Sequence, residues 1–195
     1  MRETPSTIDE LTQAVLGVIQ RSADFDYIGE AVSQLEHAIQ CAWLASKAGA
    51  RDEDILAALL HDVGHWIKPE APQMEGLGVI SHEDLGANWI REMGFSETVA
   101  RLVAGHVAAK RYLCFRNPVY WERLSEASRG TLQWQGGPMS SEEAASFEAD
   151  PLFKRILALR SWDERAKDPD SQAPGLDHYA SMIGTHLENQ RSQRA

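Results

Sequence analysis

The segment His61–His65, with the sequence HDVGH, constrains this chain most because it adds polar side chains to the end of an apolar run. Residues 55–60 are all apolar and follow three acidic residues, an order typical of the first turn and buried body of a helix. The carboxylate of Asp62 is therefore expected to be buried. A buried carboxylate needs a cation, hydrogen bonds or a metal ion, and no lysine or arginine occurs between Arg51 and Lys68.

The distribution of histidines indicates what that partner is. Seven histidines occur, and five of them precede residue 107: His37, His61, His65, His82 and His106. Helical periodicity around His37, His82 and His106 places each beside an apolar face that points inward. Imidazoles with a carboxylate suit first-row transition metals, whereas calcium and magnesium prefer oxygen ligands. Any one of these histidines could be an ordinary hydrogen-bonded core residue, but the set predicts a metal site.

Composition and charge argue against several classes of protein. With 195 residues, 43% of them apolar, the chain is expected to form a single domain over residues 1–195. The two distant cysteines predict reduced thiols, and the sequence has neither an N-terminal apolar segment nor a run of ~20 apolar residues. We therefore expect a soluble cytoplasmic protein with no membrane partner. The net charge of -10 argues against nucleic acid, which needs a basic face, and the oligomeric state stays open between monomer and dimer.

The spacing of apolar residues predicts an all-α bundle whose polar centre is assembled from several helices, with no strand-like alternation and no repeat. Loops are predicted at 68–81, 136–138 and 167–175. The predicted helices are 7–20 with Ser6 or Thr7 as cap, the segment of His37 to about Gly49, the run before His61, 82–94, the segment from Ser96 to His106 and beyond, 117–128, 140–149, the segment opened by 150–151, and 177–189.

Several motifs carry a resemblance to a known superfamily. His37, the pair His61-Asp62 and the distant Asp163 resemble the H...HD...D signature of the HD-domain superfamily, all-helical metal enzymes that are mostly phosphohydrolases. The additional His82 and His106 resemble its two-metal branch. Segments 27–30, 34–37, 105–112 and 135–139 are similar to the hydroxyphosphonate-cleaving, mixed-valence di-iron oxygenases of the PhnZ type. The resemblance covers about residues 23–187 and implies an HD-domain helical bundle.

This resemblance implies a set of metal ligands and a reaction. One iron would take His37, His61, Asp62 and Asp163, and the other His82 and His106, with Asp62 bridging. The cofactors would be two irons, Fe2+ and Fe3+, with O2 as co-substrate, and octahedral ions would keep open positions for it. The substrate would be a small organophosphonate, a 1-hydroxy-2-(amino or trimethylammonio)ethylphosphonate. Cleavage of its carbon–phosphorus bond would give phosphate and glycine or glycine betaine.

The resemblance also implies contacts with the reacting part of the substrate. Tyr27 would occupy an open metal position until the substrate displaces it, although a tyrosine packed under the bundle is as common. Glu30 would hold the amino end. His65 would meet the substrate without binding metal, and a hydrogen bond to a metal ligand stays open as an alternative role. Asp62, His65 and Tyr27 would form the catalytic set.

The phosphonate needs positive charge in an acidic protein. Lys110, one helical turn after His106, is the expected cation, although a lysine is more often a solvated surface residue. Neutral donors around the same group would be Ser128, Thr131 and Gln135. Arg160 would contact the phosphonate or place a charge beside the metals, and a surface salt bridge is an equally good interpretation.

Three other functions stay open at this point. HDVGH has the spacing of an HExxH zinc protease helix, but that interpretation leaves His37, His82 and Asp163 without a role. The main alternative is a di-metal HD phosphohydrolase, in which a metal-bound hydroxide attacks a phosphate ester. The third is a non-catalytic helical protein that binds a ligand and keeps its metal for stability.

The amino end of the substrate is a separate question. A primary ammonium requires hydrogen-bond acceptors, whereas a trimethylammonium group is held by aromatic faces and a nearby carboxylate. Among six tryptophans, Trp66 directly follows His65. The sequence therefore favours the trimethylated substrate slightly, with Trp66 in an aromatic cage.

Overall fold

The protein, described here by a computed structural model over residues 7–194, contains eleven α-helices, two short 3₁₀ helices and no β-strand in that range. The predicted all-α class is confirmed. None of the helices in residues 7–194 combines the length and hydropathy that crossing a bilayer requires. The helices are α1 (Ile8–Arg21), α2 (Gln34–Lys47), α3 (Asp52–Leu60), α4 (Val63–Ile67), α5 (His82–Glu92), α6 (Glu97–Arg116), α7 (Pro118–Arg123), α8 (Glu126–Trp134), α9 (Ser141–Glu148), α10 (Phe153–Arg165) and α11 (Ala180–Arg194), with 3₁₀ helices at Ser22–Asp24 and Leu176–Tyr179.

Capping side chains begin several helices where the sequence predicts them. The hydroxyl oxygens of Thr7, Ser96 and Ser140 each accept a hydrogen bond from the backbone N–H three residues later, at 3.2–3.3 Å. Ser6, the alternative cap of α1, and the ends of the expected domain at residues 1–6 and 195 lie outside the described residues.

Three predicted boundaries differ from the structure. The single helix predicted over 117–128 is two helices, because Leu124 has an extended backbone (ψ 142°) and Ser125 caps α8. The helix predicted to open at 150–151 begins at Phe153, after a turn in which Asp150 Oδ1 accepts from the N–H of Leu152 at 2.7 Å. The helix predicted over 177–189 starts as the second 3₁₀ helix and continues as α11.

Helix α3 lies at the centre of the core. Its apolar residues 55–60 are all buried, and it packs against α2, α6, α10 and α11. Helix α5 packs on both α4 and α6, and α10 packs on α2, α3 and α6. The elements that carry the predicted metal ligands therefore converge on one region of the bundle.

Candidate metal centre

The link between α3 and α4 carries two of the predicted ligands. α3 ends at Leu60, and the backbone of Asp62 (φ -96°, ψ 7°) departs from α-helical values before α4 begins. His61 Nε2 and Asp62 Oδ2 lie 3.3 Å apart. Both side chains are buried, as the sequence predicts.

The two carboxylate oxygens of Asp62 face different imidazoles. Oδ2 lies 3.3 Å from His61 Nε2 and 3.9 Å from His37 Nε2, whereas Oδ1 lies 3.5 Å from His82 Nε2 and 3.7 Å from His106 Nε2. Two groups of donors that could each hold an ion share this carboxylate. Donors bound at right angles to one ion about 2.1 Å away lie about 3 Å apart, so the spacing fits two ions bridged by Asp62.

Asp163, on α10, adds a carboxylate to the first of these groups. Its Oδ1 lies 3.4 Å from His37 Nε2 and 3.8 Å from His61 Nε2. The first group is thus richer in donors than the second. All six residues are at most 6% exposed, so water is largely excluded from their donor atoms.

Hydrogen bonds fix which nitrogen faces the centre in three of the four imidazoles. Nδ1 of His37, His61 and His106 lies 2.7–2.9 Å from a backbone carbonyl oxygen. A carbonyl oxygen only accepts, so each Nδ1 carries the proton and each Nε2 presents a lone pair. The Nε2 atoms of His37 and His61 lie 3.2 Å apart, and those of His82 and His106 lie 3.0 Å apart. Lone pairs that face each other this closely repel unless a cation lies between them, so the donors fit metal ions.

The pKa values of His61, His106 and Asp62 also indicate that the centre favours positive charge. Burial lowers the pKa of His61, but the carboxylates of Asp62 and Asp163, with the hydrogen bond to Ala58, together raise it to about 9. Burial, and then the charge of His61, lower the pKa of His106 to about 4. Burial raises the pKa of Asp62, yet His61 holds it well below its usual range. Bound cations would neutralise this excess of negative charge around His61.

Gly64 allows the backbones of α4 and α5 to approach each other closely beside the metal centre. A Cβ atom on Gly64 would lie 1.9 Å from the carbonyl oxygen of His82, so a side chain cannot be accommodated there. This role is not predicted from the sequence, although a glycine inside a helical segment is a signal of close packing.

A cavity of about 90 Å³ opens beside the metal centre. Lys110 is buried on its wall and donates from Nζ to Thr131 Oγ1 at 2.8 Å. Burial lowers the pKa of Lys110 to about 7. The volume suits a compact ligand, since sites for drug-sized molecules are typically above about 300 Å³. Predicted site residues on the wall, besides metal-centre residues, are Tyr27, His65, Lys110, Ser128, Thr131, Gln135 and Arg160.

His65 lines the cavity and lies outside both donor groups. Its Nδ1 accepts a hydrogen bond from the N–H of Val79 at 2.9 Å, so its proton lies on Nε2. Its ring stacks on that of His82, with centroids 3.9 Å apart. A zinc protease site would need His61 and His65 on one ion, and this arrangement contradicts that interpretation.

Arg160 is buried, so the interpretation as a surface salt bridge is wrong. Its Nη1 contacts Asp163 Oδ2 at 2.5 Å, and its Nε lies 3.0 Å from both Tyr120 Oη and Glu164 Oε1. Tyr120 and Glu164 are also hydrogen-bonded to each other. Neither residue is predicted from the sequence, because a polar residue on a helix usually faces solvent.

A family model described as "HD domain" matches residues 34–152, which contain every donor of the centre except Asp163. The chain belongs to the HD-domain family. The resemblance of its motifs to that family is confirmed.

Three relatives of this HD-domain protein match most of its length. A 1-hydroxy-2-(trimethylamino)ethylphosphonate dioxygenase, glycine-betaine-forming, from Leisingera caerulea is 41% identical over 174 residues, 89% of this chain and 88% of the relative. A hydroxymethylphosphonate dioxygenase from Gimesia maris is 38% identical over 165 residues, 84% and 82% of the two chains. An uncharacterised protein of Acanthamoeba polyphaga mimivirus is 39% identical over 187 residues, 93% and 85% of the two chains.

The segment before α2 closes one side of the HD-domain centre. The ring of Tyr27 stacks on His37, with centroids 3.9 Å apart, and its Oη lies 3.5 Å from Asp163 Oδ1. Glu30 does not line the cavity here, because its carboxylate pairs with Lys167 Nζ at 2.5 Å. Lys167, which the sequence does not predict as a site residue, also lies 5.6 Å from the centre of the Tyr27 ring.

Trp66 is placed differently from the expectation. It lies on a neighbouring cavity with Phe25 and Asp26, and its indole N–H donates to Gln34 Oε1 at 3.2 Å. It does not line the cavity at the metal centre of this HD domain, so the expected aromatic cage beside the metals is absent from the wall formed by the described residues.

Proposed function

We propose that this chain is a di-iron oxygenase that uses O2 to cleave the carbon–phosphorus bond of a 1-hydroxy-2-(amino or trimethylammonio)ethylphosphonate. The products would be phosphate and glycine or glycine betaine. The observation that carries the proposal is Asp62, whose two oxygens face two separate pairs of imidazoles. Two relatives named as dioxygenases of 1-hydroxyphosphonates support the reaction class. Their names share the hydroxyphosphonate unit and differ in the rest of the substrate.

We assign residues to each iron from the donors present. Imidazole nitrogens and carboxylate oxygens suit Fe2+ and Fe3+, and octahedral ions with so few protein ligands keep positions open. When bound, the irons would supply the O2 chemistry and a site for the hydroxyl and phosphonate oxygens of the substrate. His37, His61, Asp62 and Asp163 would hold the first iron, and Asp62, His82 and His106 the second.

Lys110 is the cation that we assign to the phosphonate. Arg160 also lines the cavity, but its charge is already paired with Asp163. No carboxylate of residues 7–194 lies within ion-pair distance of Lys110, so its charge is available to a ligand. The hydroxyls of Ser128 and Thr131 on α8, and the amide of Gln135 directly after it, would complete the site for the phosphonate oxygens.

His65 and Tyr27 would orient the reacting part of the substrate. Burial lowers the pKa of His65, so its imidazole is neutral and Nε2 keeps a proton to donate toward the cavity. Burial raises the pKa of Tyr27 well above its ordinary value, so its side chain remains a phenol. Because Tyr27 covers His37 and approaches Asp163, the substrate would displace its hydroxyl to reach the first iron.

Glu30 would hold the positively charged amino end of the substrate. In the structure its carboxylate is paired with Lys167, and both side chains are about four-fifths buried. Binding of an ammonium or trimethylammonium group would therefore exchange one cation for another at Glu30. The displaced ammonium group of Lys167, whose side chain is about one-fifth exposed, would then turn into solvent.

We expect phosphate release from a 1-hydroxyphosphonate to require both O2 and Fe(II), because the reaction is an oxidation at C1. An HD phosphohydrolase takes its new oxygen from water and works without O2. The measurement is phosphate release by Fe(II)-loaded protein in air and under argon, with the primary amine, the trimethylated compound and a phosphate monoester as substrates. Turnover of the monoester at equal rates in both atmospheres, without O2-dependent release from either phosphonate, would favour the hydrolase.

Replacing Lys110 by methionine is expected to raise KM for the phosphonate about 10- to 100-fold, since a hydrogen bond to a charged group contributes about 1.5–3 kcal/mol. In the wild type, kcat/KM should fall as the pH rises through the Lys110 pKa of about 7, because the neutral amine no longer attracts the anion. Lys110→Arg keeps its charge and should move this fall to higher pH. An identical pH profile in Lys110→Arg would assign the fall to another group.

A further inference from the structure

His82 differs from the other three histidines of the metal centre in what its Nδ1 meets. His37, His61 and His106 place Nδ1 against a backbone carbonyl oxygen. Nδ1 of His82 is buried and makes no hydrogen bond within residues 7–194. Glu83 Oε2 lies 3.5 Å away, and this oxygen is also buried without a hydrogen bond in the described part of the chain. A buried donor and a buried acceptor, both unpaired, are therefore neighbours, and buried polar atoms rarely stay unpaired.

The chemistry of the metal position determines where the proton of His82 lies. Its Nε2 faces His106 Nε2 at 3.0 Å and Asp62 Oδ1 at 3.5 Å, so Nε2 is the atom that binds an ion. A neutral imidazole that binds through Nε2 carries its proton on Nδ1. A small rotation of the Glu83 side chain would shorten the contact to about 2.7–2.9 Å, the usual length of a hydrogen bond to a carboxylate.

We propose that Glu83 is a positioning residue for the second metal position, an inference that rests on the proposed di-iron function. Its carboxylate accepts the Nδ1 proton of His82, fixes the ring and makes Nε2 a stronger donor. The histidines of the first position have neutral carbonyl acceptors instead. Asp163 already adds a carboxylate to the first position, and Glu83 would add a negative charge beside His82 at the second. That charge favours the higher charge on the ion held by His82 and His106.

The test is Fe(II) titration of metal-free protein under argon, in which wild type is expected to show two binding steps. Glu83→Ala should weaken one step about 10- to 100-fold and leave the other unchanged. Glu83→Gln keeps an acceptor of the same shape without the charge. It should recover most of the affinity, but the reduction potential of the affected iron should stay above that of wild type. A purely structural role would give Glu83→Gln the potential of wild type.

Asp84→Ala is the matched control, because Asp84 is an exposed carboxylate in the same first turn of α5. It removes the same charge from the helix N-terminus and should change neither step. Equal weakening of both steps in Glu83→Ala, unchanged binding, or a wild-type potential in Glu83→Gln would overturn the role of Glu83. A wild-type protein that binds fewer than two irons would overturn the di-iron function itself, which separates the two failures.

Discussion

Replacement of Asp62 by alanine is expected to remove both metal ions and to lower O2-dependent phosphate release about 1,000-fold or more. One carboxylate serves both groups of imidazoles, with Oδ2 3.3 Å from His61 Nε2 and Oδ1 3.5 Å from His82 Nε2. Without it, the second position keeps only two protein donors, and the first loses its bridge. Metal analysis should find about two irons per chain in the wild type and almost none in the variant.

Asp163→Ala is the informative partner for this experiment. Its Oδ1 approaches His37 and His61 and belongs to the first position alone. We therefore expect the ion held by Asp62, His82 and His106 to remain. Circular dichroism checks that both variants keep their helices. A single zinc per chain that persists in Asp62→Ala would contradict a bridged di-iron centre.

The inward histidines are predictable because helical periodicity reports which residues face the core. His37, His61, His82 and His106 follow from such local patterns, and the structure brings their Nε2 atoms together. Asp163 is different, since no pattern around it indicates a metal. Its approach to His37 depends on how α10 packs on α2, which only the resemblance to a family implies from the sequence.

The residues that contact the side chains of the site, without being metal or substrate ligands themselves, are the ones that the sequence does not predict. Glu83, Tyr120 and Lys167 are polar residues in or just after helices, where a solvated position is the ordinary expectation. Their partners are set by tertiary packing. Tyr120 on α7 contacts Arg160 on α10, and Lys167 pairs with Glu30, which is distant in sequence. Trp66 shows the same limit, because its place next to His65 in sequence does not decide which cavity its ring lines.

Gly64→Ala is expected to lower the free energy of unfolding by about 3 kcal/mol and to weaken the metal position that contains His82. The new Cβ would lie 1.9 Å from the carbonyl oxygen of His82 and 2.6 Å from its carbonyl carbon. Both are backbone atoms, so relief requires α4 and α5 to move apart. That movement would carry His82 Nε2 away from Asp62 Oδ1, which now lies 3.5 Å from it.

Gly17→Ala separates this contact from the general effect of alanine in a helix. Gly17 lies within α1, and the nearest atom to an added Cβ would be Arg21 Nη1 at 3.9 Å. Alanine there should stabilise the chain by about 0.5–1 kcal/mol, because glycine is the poorer helix former. Denaturant unfolding of the metal-free proteins should therefore show Gly64→Ala to be less stable than the wild type and Gly17→Ala to be more stable. Fe(II) titration should show weaker binding in Gly64→Ala only. A Gly64→Ala protein as stable as Gly17→Ala, with both irons bound as in the wild type, would contradict the close approach of α4 to α5 at the metal centre.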